Sequence, residues 1–183
     1  MKHVTVLGAG GWGTALAIHL GRLDKSVRLW ARDPALVARL CEERSNETYL
    51  PGVLLPPSVE PTASLEEAVG GTECVVWAVP SHGTRALVRR VAPLLAPRVT
   101  IVSGTKGFEL GTLNRMSEVI GQELGASQPV AVLSGPSFAA ELARAAPTAV
   151  LVASRHADVA ATVQEDFRAP YFRLYASDDV TGV

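Results

Sequence analysis

The stretch GAGGWG places Gly8, Gly10 and Gly13 in a pattern that can cradle a pyrophosphate. It stands between an apolar run, HVTVL, and a helix-like run, TALAIHL. In that context Gly8 permits a tight turn, Gly10 lets the backbone approach phosphate groups, and Gly13 lets the helix pack closely on the strand. The free N–H groups at the start of the helix would then face the phosphates. We interpret the stretch as a dinucleotide-binding loop, and the alternative is a plain strand-to-helix turn.

A second candidate contact to the dinucleotide lies about 20 residues after the glycine loop, where the run LWARD ends in Arg32 and Asp33. An acidic side chain at this place binds the ribose 2′-hydroxyl of NADH, whereas an arginine accommodates the 2′-phosphate of NADPH. Arg32 therefore favours NADPH. The adjacent Asp33 leaves NADH open, although it is also a candidate cap for a helix that begins at Pro34. The sequence predicts NADPH or NADH without choosing between them.

Lys106 stands between Gly104 and Gly107 in the run SGTKGFE. A lysine on such a flexible backbone suits an ammonium held toward a carbonyl or phosphate oxygen. The alternative is an ordinary solvated lysine in a surface loop.

The run SGPSF has a similar composition of small and polar residues. Gly135 allows a close approach, Pro136 supplies a preset first helical residue, and Ser137 offers N–H and hydroxyl donors at a helix N-terminus. These features predict a second anion site. A simple proline-started helix is the alternative.

Other chemistry-bearing residues carry weaker patterns. We interpret His82 as a loop histidine, because no neighbouring carboxylate in the sequence would orient it. The acidic pairs at 66–67 and 178–179 lack metal spacing, so no metal site is expected. Cys41 and Cys74 form neither a redox pair nor a disulfide framework, which is typical of a reduced cytoplasmic protein.

Seven β-rich runs alternate with helix-like segments, and most of these runs are apolar on both faces. This alternation predicts an α/β fold with a doubly wound, mainly parallel sheet and helices on both faces. The carboxyl ends of such strands share one crevice, which would bring the candidate residues together. A proline-rich stretch at 45–62 interrupts the pattern, and we expect it to be a surface excursion. The strands are expected at 3–8, 26–31, 73–79, 98–104, 129–135, 148–154 and 171–177, and the helices at 14–23, 34–44, 64–69, 83–95, 111–124 and 137–145.

The 183 residues suit one domain, and residues 1–183 are expected to form a dinucleotide-binding domain. Seventeen basic residues balance 18 acidic ones, and the sequence has no basic block, so nucleic acid is not an expected partner. No run approaches the roughly 18 apolar residues of a spanning helix. We therefore expect a soluble protein without membrane insertion.

Six motifs, in order and approximate spacing, resemble the bacterial NAD(P)-dependent sn-glycerol-3-phosphate dehydrogenases: GAGGWGTALA, LWARD, YLPG, AVPS, SGTKGFE and SGPSFAAE. The resemblance implies a Rossmann-like oxidoreductase domain. It also implies reversible reduction of dihydroxyacetone phosphate to sn-glycerol 3-phosphate, a cytoplasmic step that feeds phospholipid synthesis.

The resemblance also implies roles for individual positions. The family commonly has serine where this chain has Gly11, and we expect a small effect because the backbone N–H remains. The implied substrate contacts are Lys106, Gly135 and Ser137. The implied cofactor contacts are Gly8, Gly10, Gly11, Trp12, Gly13, Arg32, Tyr49, Lys106 and Ala139.

The resemblance places the catalytic lysine beyond Val183, at the start of a helical C-terminal substrate domain that this chain lacks. No catalytic residue is therefore assigned here, and we expect a truncated form without measurable turnover, whose full-length parent can form a homodimer. Two alternatives stay open: a stand-alone nucleotide-binding regulatory module, and a related two-domain hydroxy-acid dehydrogenase. Lys106 discriminates against the first, because a pure sensor has little use for a lysine held near a substrate oxygen.

Overall fold

A computed structural model describes residues 1–125 and 128–183. Its strands are β1 His3–Leu7, β2 Ser26–Trp30, β3 Ser45–Asn46, β4 Leu50–Leu54, β5 Val59–Thr62, β6 Cys74–Trp77, β7 Thr100–Ser103, β8 Val130–Ser134, β9 Thr148–Ala153 and β10 Phe172–Ser177. Its α-helices are α1 Gly11–Arg22, α2 Pro34–Glu43, α3 Leu65–Val69, α4 Ser81–Val91, α5 Met116–Leu124, α6 Ala139–Ala143 and α7 Ala157–Phe167, and a 3-10 turn, Ala92–Leu94, follows α4.

Eight strands form one sheet in the order β10-β9-β8-β7-β6-β1-β2-β5. The strand β1 lies between β2 and β6 and is parallel to both. Among the described pairs of this sheet, β8 and β9 alone are antiparallel. The predicted mainly parallel, Rossmann-like sheet is confirmed.

Two apolar clusters cover the two faces of the sheet. Successive side chains of a strand point to opposite faces, so Val6 and Val76 enter one cluster whereas Leu7 and Trp77 enter the other. The first cluster contains residues of α1 and α7, and the second contains residues of α3, α4 and α5. Burial on both faces explains why these strands are continuous apolar runs rather than alternating ones.

The proline-rich stretch at 45–62 is not a surface excursion. The strands β3 and β4 form an antiparallel hairpin, and β5 pairs in parallel with β2 at the edge of the main sheet. An edge strand tolerates Pro61, because only one side of the strand has to supply the ladder. Asn46 and Val59 are both buried.

The helix α7 was not among the expected helices. Its sequence, ADVAATVQEDF, buries Ala160, Val163 and Phe167, which follow the three- and four-residue spacing of one helical face. A signal was therefore present in the sequence. No helix of the described ranges is long and apolar enough to cross a membrane.

Candidate functional site

A cleft of about 760 Å³ lies beyond the carboxyl ends of β1, β2, β6 and β7. Its volume falls within the usual range for sites of small ligands and cofactors. Ligands of open parallel sheets bind at this edge. The cleft is lined by residues 8–12, 30–33, 36, 49, 78–80, 82–83, 86–87, 90, 104–106 and 137–139.

The three pattern glycines of GAGGWG have different surroundings. A Cβ atom on Gly8, whose φ is +111°, would lie 2.6 Å from the carbonyl oxygen of Ala78. A Cβ atom on Gly13 would lie only 1.8 Å from the carbonyl oxygen of Gly8. By contrast, no atom lies within 4 Å of a Cβ built on Gly10. Gly8 and Gly13 are thus required by the protein itself, whereas the open space beside Gly10 fits the approach of a ligand.

The helix α1 begins at Gly11 with Gly10 as its N-cap, and no side chain caps it. Its first N–H groups have no acceptor within the helix. No acidic residue lies in the first turn, so the positive end of the helix dipole is not offset there. This 12-residue helix therefore presents a start that fits a phosphate anion.

Asn46, which sequence reasoning missed, holds the glycine loop in place. Its side-chain Nδ2 donates to the carbonyl oxygen of Ala9 at 3.0 Å and to Thr14 Oγ1 at 2.7 Å. Its Oδ1 accepts from the backbone N–H of Tyr49 at 3.2 Å. The side chain is buried, so these bonds satisfy groups that water cannot reach. No local pattern revealed this role, because two of the partners lie 37 and 32 residues away in the sequence.

Tyr49 lies over Gly11 through its backbone. A Cβ atom on Gly11 would lie 2.9 Å from the carbonyl oxygen of Tyr49. Replacing Gly11 by serine would therefore require the hairpin to shift, so the position does more than omit one hydroxyl. The Tyr49 ring is exposed and lines the cleft.

Arg32 and Asp33 both line the cleft, after β2. Asp33 caps α2, as expected, because its Oδ1 accepts from the backbone N–H of Ala35 at 2.9 Å. Within the described residues, Arg32 is exposed and makes neither a side-chain hydrogen bond nor an ion pair. One carboxylate oxygen of Asp33 is thus engaged in helix capping, whereas the whole guanidinium of Arg32 is free for a ligand.

Lys106 lies on a loop tied to the neighbouring strand ends. Thr105 Oγ1 donates to the carbonyl oxygen of Val79 at 2.8 Å, and Gly107 adopts a φ of +107°. The Nζ of Lys106 donates to the carbonyl oxygen of Gly135 at 3.3 Å. The fold thereby brings together two motifs that lie about 30 residues apart in the sequence.

The helix after SGPSF starts later than expected. The first residue of α6 is Ala139 and its N-cap is Phe138, so Pro136 is not a helical residue. The Ser137 hydroxyl bonds to the carbonyl oxygen of Gly135 at 3.4 Å instead of capping a helix. The predicted helix start at Pro136 is therefore wrong, because Phe138 is extended and α6 begins at Ala139.

The other residues of this segment lie as follows. Gly135 has a φ of +155°, and a Cβ atom there would lie 3.0 Å from Val150 Cα, so close backbone packing requires the glycine. Ser137 and Ala139 line the cleft.

Two aromatic side chains, His82 and Trp12, also line the cleft. His82 lies in the first turn of α4 rather than in a loop, and it is exposed to the cleft. Trp12 is half-buried, and its indole N–H has no hydrogen-bond partner. That nitrogen would lie 3.0 Å from a Cβ on Gly104, which shows how closely the ring approaches the Lys106 loop.

In the parts of the chain that the structure describes, no three His, Cys, Asp or Glu residues are grouped to hold a metal ion.

Comparison with known proteins gives a consistent result. Residues 3–160 match the family described as NAD-dependent glycerol-3-phosphate dehydrogenase N-terminus. Glycerol-3-phosphate dehydrogenase (NAD(P)+) of Thioalkalivibrio sulfidiphilus is 46% identical over 180 residues, covering 98% of this chain and 54% of that protein. A second such enzyme, from Mycobacterium tuberculosis, is 47% identical with the same coverage. The chain thus spans about half the length of the curated relatives that it matches.

A solved structure of the same kind of enzyme is also similar to this chain. The crystal structure of glycerol-3-phosphate dehydrogenase from Coxiella burnetii superposes with a TM-score of 0.94 at 36% identity, covering 99% of this chain and 55% of that one.

Proposed function

Because the chain belongs to the family of NAD-dependent glycerol-3-phosphate dehydrogenase N-termini, we propose that residues 1–183 form the NAD(P)-binding domain of an oxidoreductase. The proposed reaction interconverts dihydroxyacetone phosphate and sn-glycerol 3-phosphate and supplies phospholipid synthesis. The observation that carries the proposal is the cleft, where an uncapped helix start and the open side of Gly10 lie at the carboxyl edge of the sheet.

In this proposal the cofactor lies along the cleft. The N–H groups at the start of α1 bind the pyrophosphate, and Gly10 leaves room for it. Arg32 and Tyr49 lie toward the adenosine end, and Trp12 and Ala139 contact the remainder of the cofactor. A nicotinamide held by these residues would supply or accept the hydride.

Lys106, Gly135 and Ser137 form the proposed substrate contacts of this domain. An ammonium has three donors, and one of them is used by the carbonyl oxygen of Gly135. The remaining donors of Lys106 are available to a substrate oxygen. A fixed positive charge stabilises an oxygen that gains negative charge as hydride is added to its carbon. No residue of this chain is assigned the proton transfer.

The proposal includes a partner and a location. Leu151 of β9 and Tyr175 of β10 are register partners on one face of the sheet, and both are exposed. An apolar pair of this kind suits contact with another protein surface, and homodimer formation by the full-length protein is part of the proposal. Cys41 and Cys74 are free thiols, which supports a reducing cytoplasm.

A titration of the chain with NADPH and, separately, with NADH tests the proposal. Calorimetric heat measures binding, and the fluorescence of Trp12 and Trp30 is expected to report it, since both line the cleft whereas Trp77 is fully buried. The variant Trp12→Phe should lose the part of the fluorescence change that comes from Trp12, while Trp30 still reports binding. Saturable binding of either nucleotide supports the proposal. The absence of binding at millimolar concentrations of both nucleotides would contradict it.

A further inference from the structure

A second arginine, Arg90, lines the same cleft as Arg32. It belongs to α4, whose residues Gly83, Ala86 and Leu87 also line the cleft. These positions follow three- and four-residue spacing, so one face of α4 borders the cleft along its length. Arg90 lies seven residues after Gly83, which is about 10 Å further along the helix axis. It is therefore well removed from the end of α4 that lies near the glycine loop.

The arginines of α4 differ in their partners. Arg85 and Arg89 are both held by Glu123, and Arg85 also pairs with Glu109. Within the described residues, Arg90 makes no hydrogen bond and no ion pair, although it is exposed on the same helix. The cleft thus has two unpaired guanidinium groups, Arg32 and Arg90.

Two carboxylates lie near this part of the cleft. Asp33 accepts a backbone N–H with one oxygen. Glu66 accepts the hydroxyl of Ser64 at 3.0 Å. The pKa of Glu66 is lowered by hydrogen bonds from its own N–H and from Ser64, with a smaller contribution from the charge of Arg90. The charge of Arg90 thus acts on Glu66, although the two side chains form no ion pair.

The wall near these arginines has a composition that suits a phosphorylated nucleoside. Trp30, Leu36 and Leu87 line the cleft and supply apolar surface for a base. Guanidinium groups bind phosphate oxygens in pairs of parallel hydrogen bonds, and a second one adds charge complementarity to a dianion. A nucleotide without a phosphate on its adenosine ribose would gain nothing from the second arginine.

We propose that Arg90 acts together with Arg32 to bind the 2′-phosphate of NADPH, so that Arg90 determines preference for NADPH over NADH. The inference rests on the proposed function and specifies how that site selects its cofactor. The class of ligand is a nucleotide with a phosphate monoester on its adenosine ribose.

The test compares Arg90→Gln with Arg39→Gln in nucleotide titrations of the chain. Arg39 is an exposed arginine of α2 that does not line the cleft, so it is a matched control for loss of one charge. We expect Arg90→Gln to weaken NADPH binding about tenfold while NADH binding changes less than about twofold. Arg39→Gln should change neither by more than about twofold. Arg90→Lys, which keeps the charge but loses the paired geometry, should fall between wild type and Arg90→Gln.

The same comparison with 2′,5′-ADP and 5′-AMP isolates the adenosine end. The wild-type chain should prefer 2′,5′-ADP, and Arg90→Gln should lose most of that preference. An equal loss of affinity for NADPH and NADH, or no loss, would overturn the role of Arg90 while leaving the proposed function intact. If the wild-type chain bound no nucleotide at all, the proposed function would fail and this inference with it. Circular dichroism confirms that each variant is folded.

Discussion

At the scale of single residues, the glycine loop shows that one motif combines two different requirements. Gly8 and Gly13 approach other backbone atoms so closely that a side chain cannot fit. Gly10 has open space beside it, and its φ of −74° is accessible to any residue. Two of the three glycines are therefore required for folding, and under the proposed function the third is required for binding.

Alanine substitutions should separate these two requirements. We expect Gly10→Ala to fold with an unfolding free energy within about 1 kcal/mol of wild type, since alanine is only a poorer N-cap than glycine. It should nevertheless weaken dinucleotide binding at least tenfold, because the added methyl group occupies the path of the pyrophosphate. Gly13→Ala should lose about 2 kcal/mol or more of stability through overpacking. Urea unfolding and nucleotide titration measure both effects.

Similar stability losses in Gly10→Ala and Gly13→Ala would contradict the division of roles. Unimpaired nucleotide binding by Gly10→Ala would contradict the placement of the pyrophosphate.

At the scale of elements, Arg85 and Glu109 form a clamp between α4 and the loop that carries Lys106. Glu109 accepts from Arg85 Nε at 2.6 Å and from Arg85 Nη2 at 2.7 Å, and Thr112 Oγ1 donates to it at 2.6 Å. The hydrogen bonds from Arg85 and Thr112 lower the pKa of Glu109 to about 2. The carboxylate therefore stays ionised at neutral and mildly acidic pH. The contribution of this clamp to folding stability is complete above the pKa of Glu109 in the unfolded chain. It is lost as the pH falls from there toward 2.

Removing this clamp should loosen the loop without unfolding the protein. We expect Glu109→Gln to increase amide hydrogen exchange in residues 105–114 roughly fivefold, because the paired ionic hydrogen bonds from Arg85 are lost. Exchange in α1 should stay unchanged. Glu165→Gln is the control, since it breaks an exposed ion pair between Glu165 of α7 and Arg168, which follows that helix. Unaltered exchange in the loop of Glu109→Gln would show that the clamp does not hold Lys106.

At the scale of the whole molecule, His19 joins the two halves of the sheet. It lies in α1, and its ring bonds to the carbonyl oxygen of Phe167 at 2.6 Å and to the Tyr171 hydroxyl at 3.0 Å. The side chain is completely buried. Burial is the main cause that lowers the pKa of His19 to about 4, and the charges of Arg22 and Lys25 add to it.

This buried histidine should make stability depend on pH. Between pH 6.5 and 4 the unfolded chain takes up a proton at His19 and the folded chain does not, so stability falls as the pH falls through that window. The loss levels off below pH 4 and amounts to about 3 kcal/mol. In His19→Gln the stability at pH 7 should be lower, but this component of the pH dependence should be absent. Urea unfolding of both proteins across pH 4–7 measures the difference, and parallel curves would contradict the assignment.

Several features could be predicted from the sequence because their causes are local. Apolar runs buried on both faces predicted the parallel sheet, and the glycine spacing predicted the loop that begins α1. Asp33 followed by Pro34 predicted the start of α2. In each case the physical cause lies within a few residues of the pattern.

Other features depend on partners that only the folded chain brings together. Asn46 reaches back to Ala9, and β5 joins the sheet because β2 offers a free edge. Gly135 packs against Val150, and the contact between Lys106 and Gly135 joins two strand ends. The sequence by itself determined the alternation of strands and helices along the chain and the position of the glycine loop. The causes of both are local sterics and burial. The tertiary structure alone decided which distant groups meet in the cleft, because those contacts depend on the register and packing of the whole sheet.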